Sequence, residues 1–182
     1  MTLLELLVTI SVAAILIAVA VPGLTTFVQN SRDDSEADSL ISSLQYARSE
    51  AVKRDANVVI CASSDEATCN GGTAWNTGWI VETSAVAPAA PEVLQAIPAL
   101  GGGNTLSGTF NGAAVSQLTF QPNGFVQAAG GAGLYLTTYF KLCDQRGANY
   151  ARDVEITGIG GVQSSPLPGQ TLDTPPKALV CP

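Results

Sequence analysis

Five side chains in this 182-residue sequence stand out by type and position as candidates for chemistry: Glu5, and the cysteines Cys61, Cys69, Cys143 and Cys181. There is no histidine, which removes the commonest general base and a common zinc ligand. No CxxC spacing occurs, so the four cysteines do not read as a zinc site. An even number in two local groups reads as disulfides formed in an oxidising compartment. Four cysteines permit three pairings. Locality favours Cys61–Cys69, which flank a short polar loop, and Cys143–Cys181, which would tether the C-terminal tail.

Other polar groups offer less. The acids Asp33, Asp34, Glu36 and Asp38 are closely spaced but lack the glycine turn and ligand alternation of a calcium loop. They read as a solvated collar, and Asp65 and Glu66 as a polar loop. Trp75 and Trp79 read as core or rim packing. The serines come with no G-x-S-x-G element and no partner base. No enzyme, cofactor or metal site is expected. Eight basic residues against fifteen acidic ones give 8 − 15 = −7. Such a chain has no general attraction for nucleic acid or anionic lipid.

The elements that position these residues begin with an unusual N-terminus. Between Glu5 and Arg32 there is no charged residue, and residues 6–21 (LLVTISVAAILIAVAV) are apolar on every face. That is long enough, with Leu3 and Leu4, to cross a bilayer as a helix. A secretory signal would carry positive charge before its apolar core, and here no Lys or Arg precedes Arg32. A soluble core helix would keep one polar face. Beyond the polar run at residues 30–39 the pattern becomes amphipathic. Leu40, Leu44, Ala47 and Ala51 fall on one stripe, with Ser42, Gln45, Ser49 and Lys53 opposite. One helix is therefore expected to about Arg54, on the order of 80 Å long, bent or loosened at Pro22 and Gly23.

From Asn57 the texture becomes β-like. Short apolar runs at residues 58–62, 78–82, 92–97, 117–120, 134–143 and 154–157 alternate with Gly, Asn and Pro turn signals. They predict an antiparallel sheet of five to seven strands, with one face covering the amphipathic half-helix. The Pro-rich stretch at residues 164–177 reads as an irregular tail. The predicted organisation is a membrane-spanning half-helix at 1–28, an amphipathic half-helix at 29–55, and a disulfide-stapled β-rich head at 56–182.

TLLELL at residues 2–7, followed by an uncharged apolar helix and Pro22, resembles the start of a mature type IV pilin or type II secretion pseudopilin. LQYARSEAVKR (44–54), VVICAS (58–63), GWIVE (78–82) with Trp75, and KLCDQRG (141–147) before a Val-x-Ile-Thr-Gly turn are similar to the GspH/FimT-like branch. The resemblance implies an α+β type IV pilin fold, in which the long N-terminal transmembrane helix packs by its C-terminal half on an antiparallel β-sheet head. It implies a structural subunit of a helical, homo-oligomeric pilus filament. Alternatives are a minor subunit that primes or caps the filament, or a secretion pseudopilin. Implied partners are the inner-membrane assembly machinery, a prepilin peptidase and other minor pilins. The chain would sit in the inner membrane as a single pass before assembly and in an extracellular pilus after it.

By the same resemblance, Met1 is the first mature residue and carries N-terminal methylation. Glu5 pairs with the Met1 amine of a neighbouring subunit, and Thr2 either shares that contact or caps the helix. DNA-binding members of the branch carry Gly-Arg-x-Arg near the C-terminus. Here the stretch is Gly160-Gly161-Val162-Gln163, so specific nucleic-acid binding is not expected.

Overall fold

A single helix, α1 (Leu3–Arg54), dominates the computed structural model. The structure describes residues 2–84, 90–128, 137–165, 167–172 and 177–181, with the side chains of Val19, Ala20 and Pro22 also outside the description. Met1 and part of the 134–143 run lie outside it too. The helix assignment continues through residues 22 and 23. It stops at Asp55, whose backbone turns left-handed (φ 50°, ψ 39°) while its N–H donates to the Ala51 carbonyl. Asp tolerates this conformation better than most residues.

Among the described residues the head holds ten strands: β1 (Val58–Ala62), β2 (Trp79–Thr83), β3 (Val93–Ile97), β4 (Thr105–Phe110), β5 (Ala113–Ala114), β6 (Gln117–Phe120), β7 (Val126–Ala128), β8 (Thr138–Cys143), β9 (Arg152–Ile156) and β10 (Val162–Ser164). They form two five-stranded antiparallel sheets, ordered β3-β2-β1-β6-β7 and β10-β9-β8-β4-β5. This corrects the expectation of one sheet with five to seven strands. The strands absent from that reading were β4, β5, β7 and β10, which are short or glycine-containing. They gain their identity from neighbours: β4 pairs along its length with β8, and β10 pairs with β9.

One core joins helix and sheets. Leu40, Leu44, Ala47 and Ala51 are fully buried against Val58, Ile60 and Ala62 of β1, Trp75, Phe140, Val154 and Ile156. Ser42, Gln45, Ser49 and Lys53 are exposed on the other side. Burying each leucine of the stripe stabilises the docked helix by about 1.5–3 kcal/mol. Trp75 meets Phe140 edge-to-face at 4.9 Å, and its Nε1 donates to the Val115 carbonyl at 2.7 Å. Trp79 is also fully buried. Both tryptophans are therefore core residues.

Candidate functional site: the exposed half-helix and its attachment to the head

The first turn of α1 is closed by its own side chains. Thr2 Oγ1 accepts from the Glu5 backbone N–H at 3.3 Å, and Glu5 Oε2 accepts from the Thr2 N–H at 3.4 Å. This reciprocal capping satisfies two otherwise orphaned donors. The carboxylate thus lies in its own first turn, where the helix dipole favours negative charge. Beyond it, large apolar side chains stay exposed on all sides, among them Leu3, Leu7, Ile10, Ile15, Leu16, Ile17, Leu24 and Phe27. Two hydroxyls within this segment are satisfied by its own backbone: Thr9 Oγ1 donates to the Leu6 carbonyl and Ser11 Oγ to the Val8 carbonyl, each at 2.8 Å. Hydroxyls returned to the carbonyls of their own helix suit a medium without water. Residues 3–28 span about 39 Å at 1.5 Å per residue, against a hydrocarbon core of about 30 Å.

Where α1 reaches the head, a polar network fastens it. Asp33 is buried, with its side chain 2% exposed, and not part of a solvated collar. Its Oδ2 accepts from Arg146 Nη2 at 2.7 Å and its Oδ1 from Asn104 Nδ2 at 2.9 Å. Arg146 also pairs through Nε with Asp144, donates through Nη1 to Asn30 Oδ1 at 2.8 Å, and lies 4.1 Å over the Tyr150 ring. Asn104 Nδ2 further donates to Glu36 Oε2 at 2.6 Å, while Glu36 Oε1 accepts from the Gly101 N–H. Asp34, half exposed, pairs with Arg152 at 2.6 Å. Of the expected collar, only Asp38 is exposed without an ionic partner among the described residues. Burial pushes the Asp33 carboxyl above its ordinary range; Asn104 and Arg146 oppose that push and Asp144 adds to it. Sequence inspection missed this network, although Asp33 lies four residues before Ala37 on the same inward stripe as Leu40.

The helix end is held by a second set of charges. Glu50 accepts from Arg54 Nε at 2.7 Å and from Lys53 Nζ at 3.2 Å, and Arg54 Nη1 reaches Glu92 at 3.2 Å. These bonds, led by that from Arg54, lower the Glu50 pKa.

The cysteines pair as Cys61–Cys69 and Cys143–Cys181. The first bridge ties β1 to a loop organised by Asp65. That carboxylate accepts from the Ala67 and Thr68 N–H groups and from the Ser63 and Thr68 hydroxyls. The Ala67 bond leads these in holding its pKa well below the usual carboxylate range. The second bridge draws residues 177–181 over the end of β8, where Leu179 is buried and Lys141 Nζ donates to the Val180 carbonyl. Glu82 lies beside the first bridge, its Oε1 3.1 Å from Cys69 Sγ, and burial raises its pKa. Cys61, Cys69 and Glu82 are grouped tightly enough to suggest a metal, but the sulfurs are bonded to each other and offer no thiolate.

The geometry is that of a helix with a bare apolar half, locked to a stapled head. A family profile for type II transport protein GspH matches residues 36–160. Two crystal forms of the type IV minor pilin FimU from Pseudomonas aeruginosa share the fold, each at 24% identity. One has a TM-score of 0.56, covering 77% of this chain and 92% of that one; the other has 0.53, covering 73% and 92%. A search of curated proteins finds no match. The α+β architecture, with its long N-terminal helix and antiparallel sheets, is the type IV pilin fold. With a match over more than half its length, the chain belongs to the GspH family, a pilin-like family of structural proteins rather than enzymes.

Proposed function

We propose that this chain is a structural subunit of a type IV pilus filament, polymerising through residues 3–28 and displaying its β head on the surface. The observation that carries the reading is the exposed apolar half of α1. Such a surface must lie in lipid or against other helices, because water would leave it unfavourably hydrated. Before assembly the half-helix crosses the inner membrane; after assembly, copies of it bundle in the filament core, alongside other pilins. A second reading, a type II secretion pseudopilin, is favoured by the family's description as a transport protein.

Glu5 gives the assembly step its specificity. Near the headgroups its carboxylate stays hydrated and capped by Thr2. Drawn into an apolar core it would cost several kcal/mol unless paired. The stretch from Leu6 to Ser31 carries no charge, and on the pilin reading the terminal amine of a staggered neighbour supplies the cation. Glu5→Ala and Glu5→Gln should leave membrane insertion, both disulfides and head folding intact while strongly reducing filaments. The comparison is between membrane-bound and sheared surface pools of each variant. Wild-type filament yield from both variants would refute the charge-pairing mechanism.

A further inference from the structure

The exposed side of α1 meets the edge strand β10 along a seam with a hollow at each end. The upper hollow, about 690 Å³, lies between the helix at residues 45–53 and the turns at 123–124 and 160–162. Two cations line it: Lys53, which is paired with Glu50, and Arg48, which is exposed and donates through Nη2 to the Ile159 carbonyl at 3.1 Å. Two glycines make room for Arg48. A Cβ on Gly124 would come 3.0 Å from Arg48 Nε and one on Gly160 2.8 Å from it, and both residues have φ 79°. Among the described residues no carboxylate lines this hollow. Val52 and Ile159, both half exposed, supply apolar surface beside it.

The lower hollow, about 410 Å³, carries the opposite charge. It is lined by Asp34, Asp38 and Arg152, with Asp34 taken up by Arg152 and Asp38 without an ionic partner among the described residues. Asp38, Gln45, Ser49 and Val52 fall at i, i+7, i+11 and i+14, so the two hollows share one helix face. Arg48 and Asp38 are ten residues apart, about 15 Å along the axis.

We infer that this seam is a contact between copies of the chain, in which Arg48 of one subunit pairs with Asp38 of the next. The inference rests on the filament reading, which makes all N-terminal helices parallel. Parallel copies at one level would set Arg48 beside Arg48 and Asp38 beside Asp38. Shifting one copy by about 15 Å along the axis brings opposite charges level. A shifted, heterologous contact of this kind does not close on itself and propagates as a helical array. The net charge of −7 strengthens the case: like-charged heads repel, so an assembly of them needs local complementarity at its contacts.

The test uses the full-length chain in cells that assemble it, with Arg48→Glu, Asp38→Arg, the double exchange, and Glu5→Ala as a control. Each single exchange should lower the sheared-filament yield about tenfold, because repulsion recurs at every contact, and the double exchange should restore it. A separate chain carrying Asp38→Cys and Arg48→Cys should give a ladder of multimers on non-reducing gels. At about 15 Å the two new thiols cannot bridge within one subunit. Wild-type assembly by both single variants while Glu5→Ala fails would overturn this contact and leave the filament reading standing. Failure of the double exchange to recover, absence of the ladder, or duplex DNA binding lost with Arg48→Glu alone would also overturn it. Wild-type assembly by Glu5→Ala would refute the Glu5 pairing alone, whereas absence of the unaltered chain from the sheared fraction would count against the filament reading itself.

Discussion

Replacing Arg146 by glutamine removes the cation from two buried carboxylates at once. Asp33 and Asp144 have side chains only 2% and 4% exposed, and Arg146 itself is 16% exposed. Breaking a buried pair by removing one partner costs about 3–5 kcal/mol, because the remaining charge cannot be rehydrated. That is a large share of the roughly 5–15 kcal/mol that holds a domain folded. Asp33→Asn removes a charge that burial already disfavours and keeps the side-chain shape. Its cost should be near that of a single hydrogen bond, about 1 kcal/mol. In the Arg146→Gln background Asp33→Asn should recover stability, with a coupling of about 1–3 kcal/mol.

The pH dependence follows from the sign of the Asp33 shift. A carboxyl whose folded pKa is raised takes up protons more readily in the native state, so its burial penalty is present above the folded pKa and relieved as pH falls through it. Loss of Arg146 raises that pKa further. The deficit of Arg146→Gln should therefore be largest at neutral pH and shrink toward pH ~4. Urea unfolding of the detergent-solubilised chain, followed by fluorescence of the buried Trp75 and Trp79, measures each quantity. A deficit under about 1 kcal/mol, unchanged between neutral and acid pH, would refute the reasoning.

Three further outcomes are expected. Leu44→Ala, at a fully buried stripe position, should destabilise the head by about 2–5 kcal/mol in the same urea assay. Replacing Cys143 and Cys181 by serine should cost more than replacing Cys61 and Cys69. Separations of 38 and 8 residues correspond in the chain-entropy model to roughly 4 and 2.5 kcal/mol, and thermal unfolding without reductant compares them. Because the Asp65 pKa is depressed, its stabilisation of the 63–70 loop is present above the ordinary carboxylate range and lost only in strong acid. Amide exchange at Ala67 and Thr68 should be slow and free of any Asp65 titration from pH 4 to 8, and faster throughout in Asp65→Ala.

Local pattern carried much of this architecture. The 4-3-4 spacing of Leu40, Leu44, Ala47 and Ala51 identifies the docked face, and all four are fully buried. The β1 and β6 runs coincide with their strands because their apolar β-formers need no distant partner to be recognised. By contrast, β4 contains Gly108, and β10 is three residues long beside Gly160 and Gly161. Strand identity there comes from pairing across the chain, which a local window does not contain. Asp33 was misread for a related reason: its partners, Asn104 and Arg146, lie 71 and 113 residues away.

The filament account is tested most directly by shearing surface appendages from cells that express the chain natively and identifying the proteins by mass spectrometry. The account predicts this chain in the sheared fraction, dominant if it is the major subunit and in trace amounts if it primes or caps the filament. Its confinement to the membrane fraction, while other pilins are recovered from the sheared filaments, would contradict the account.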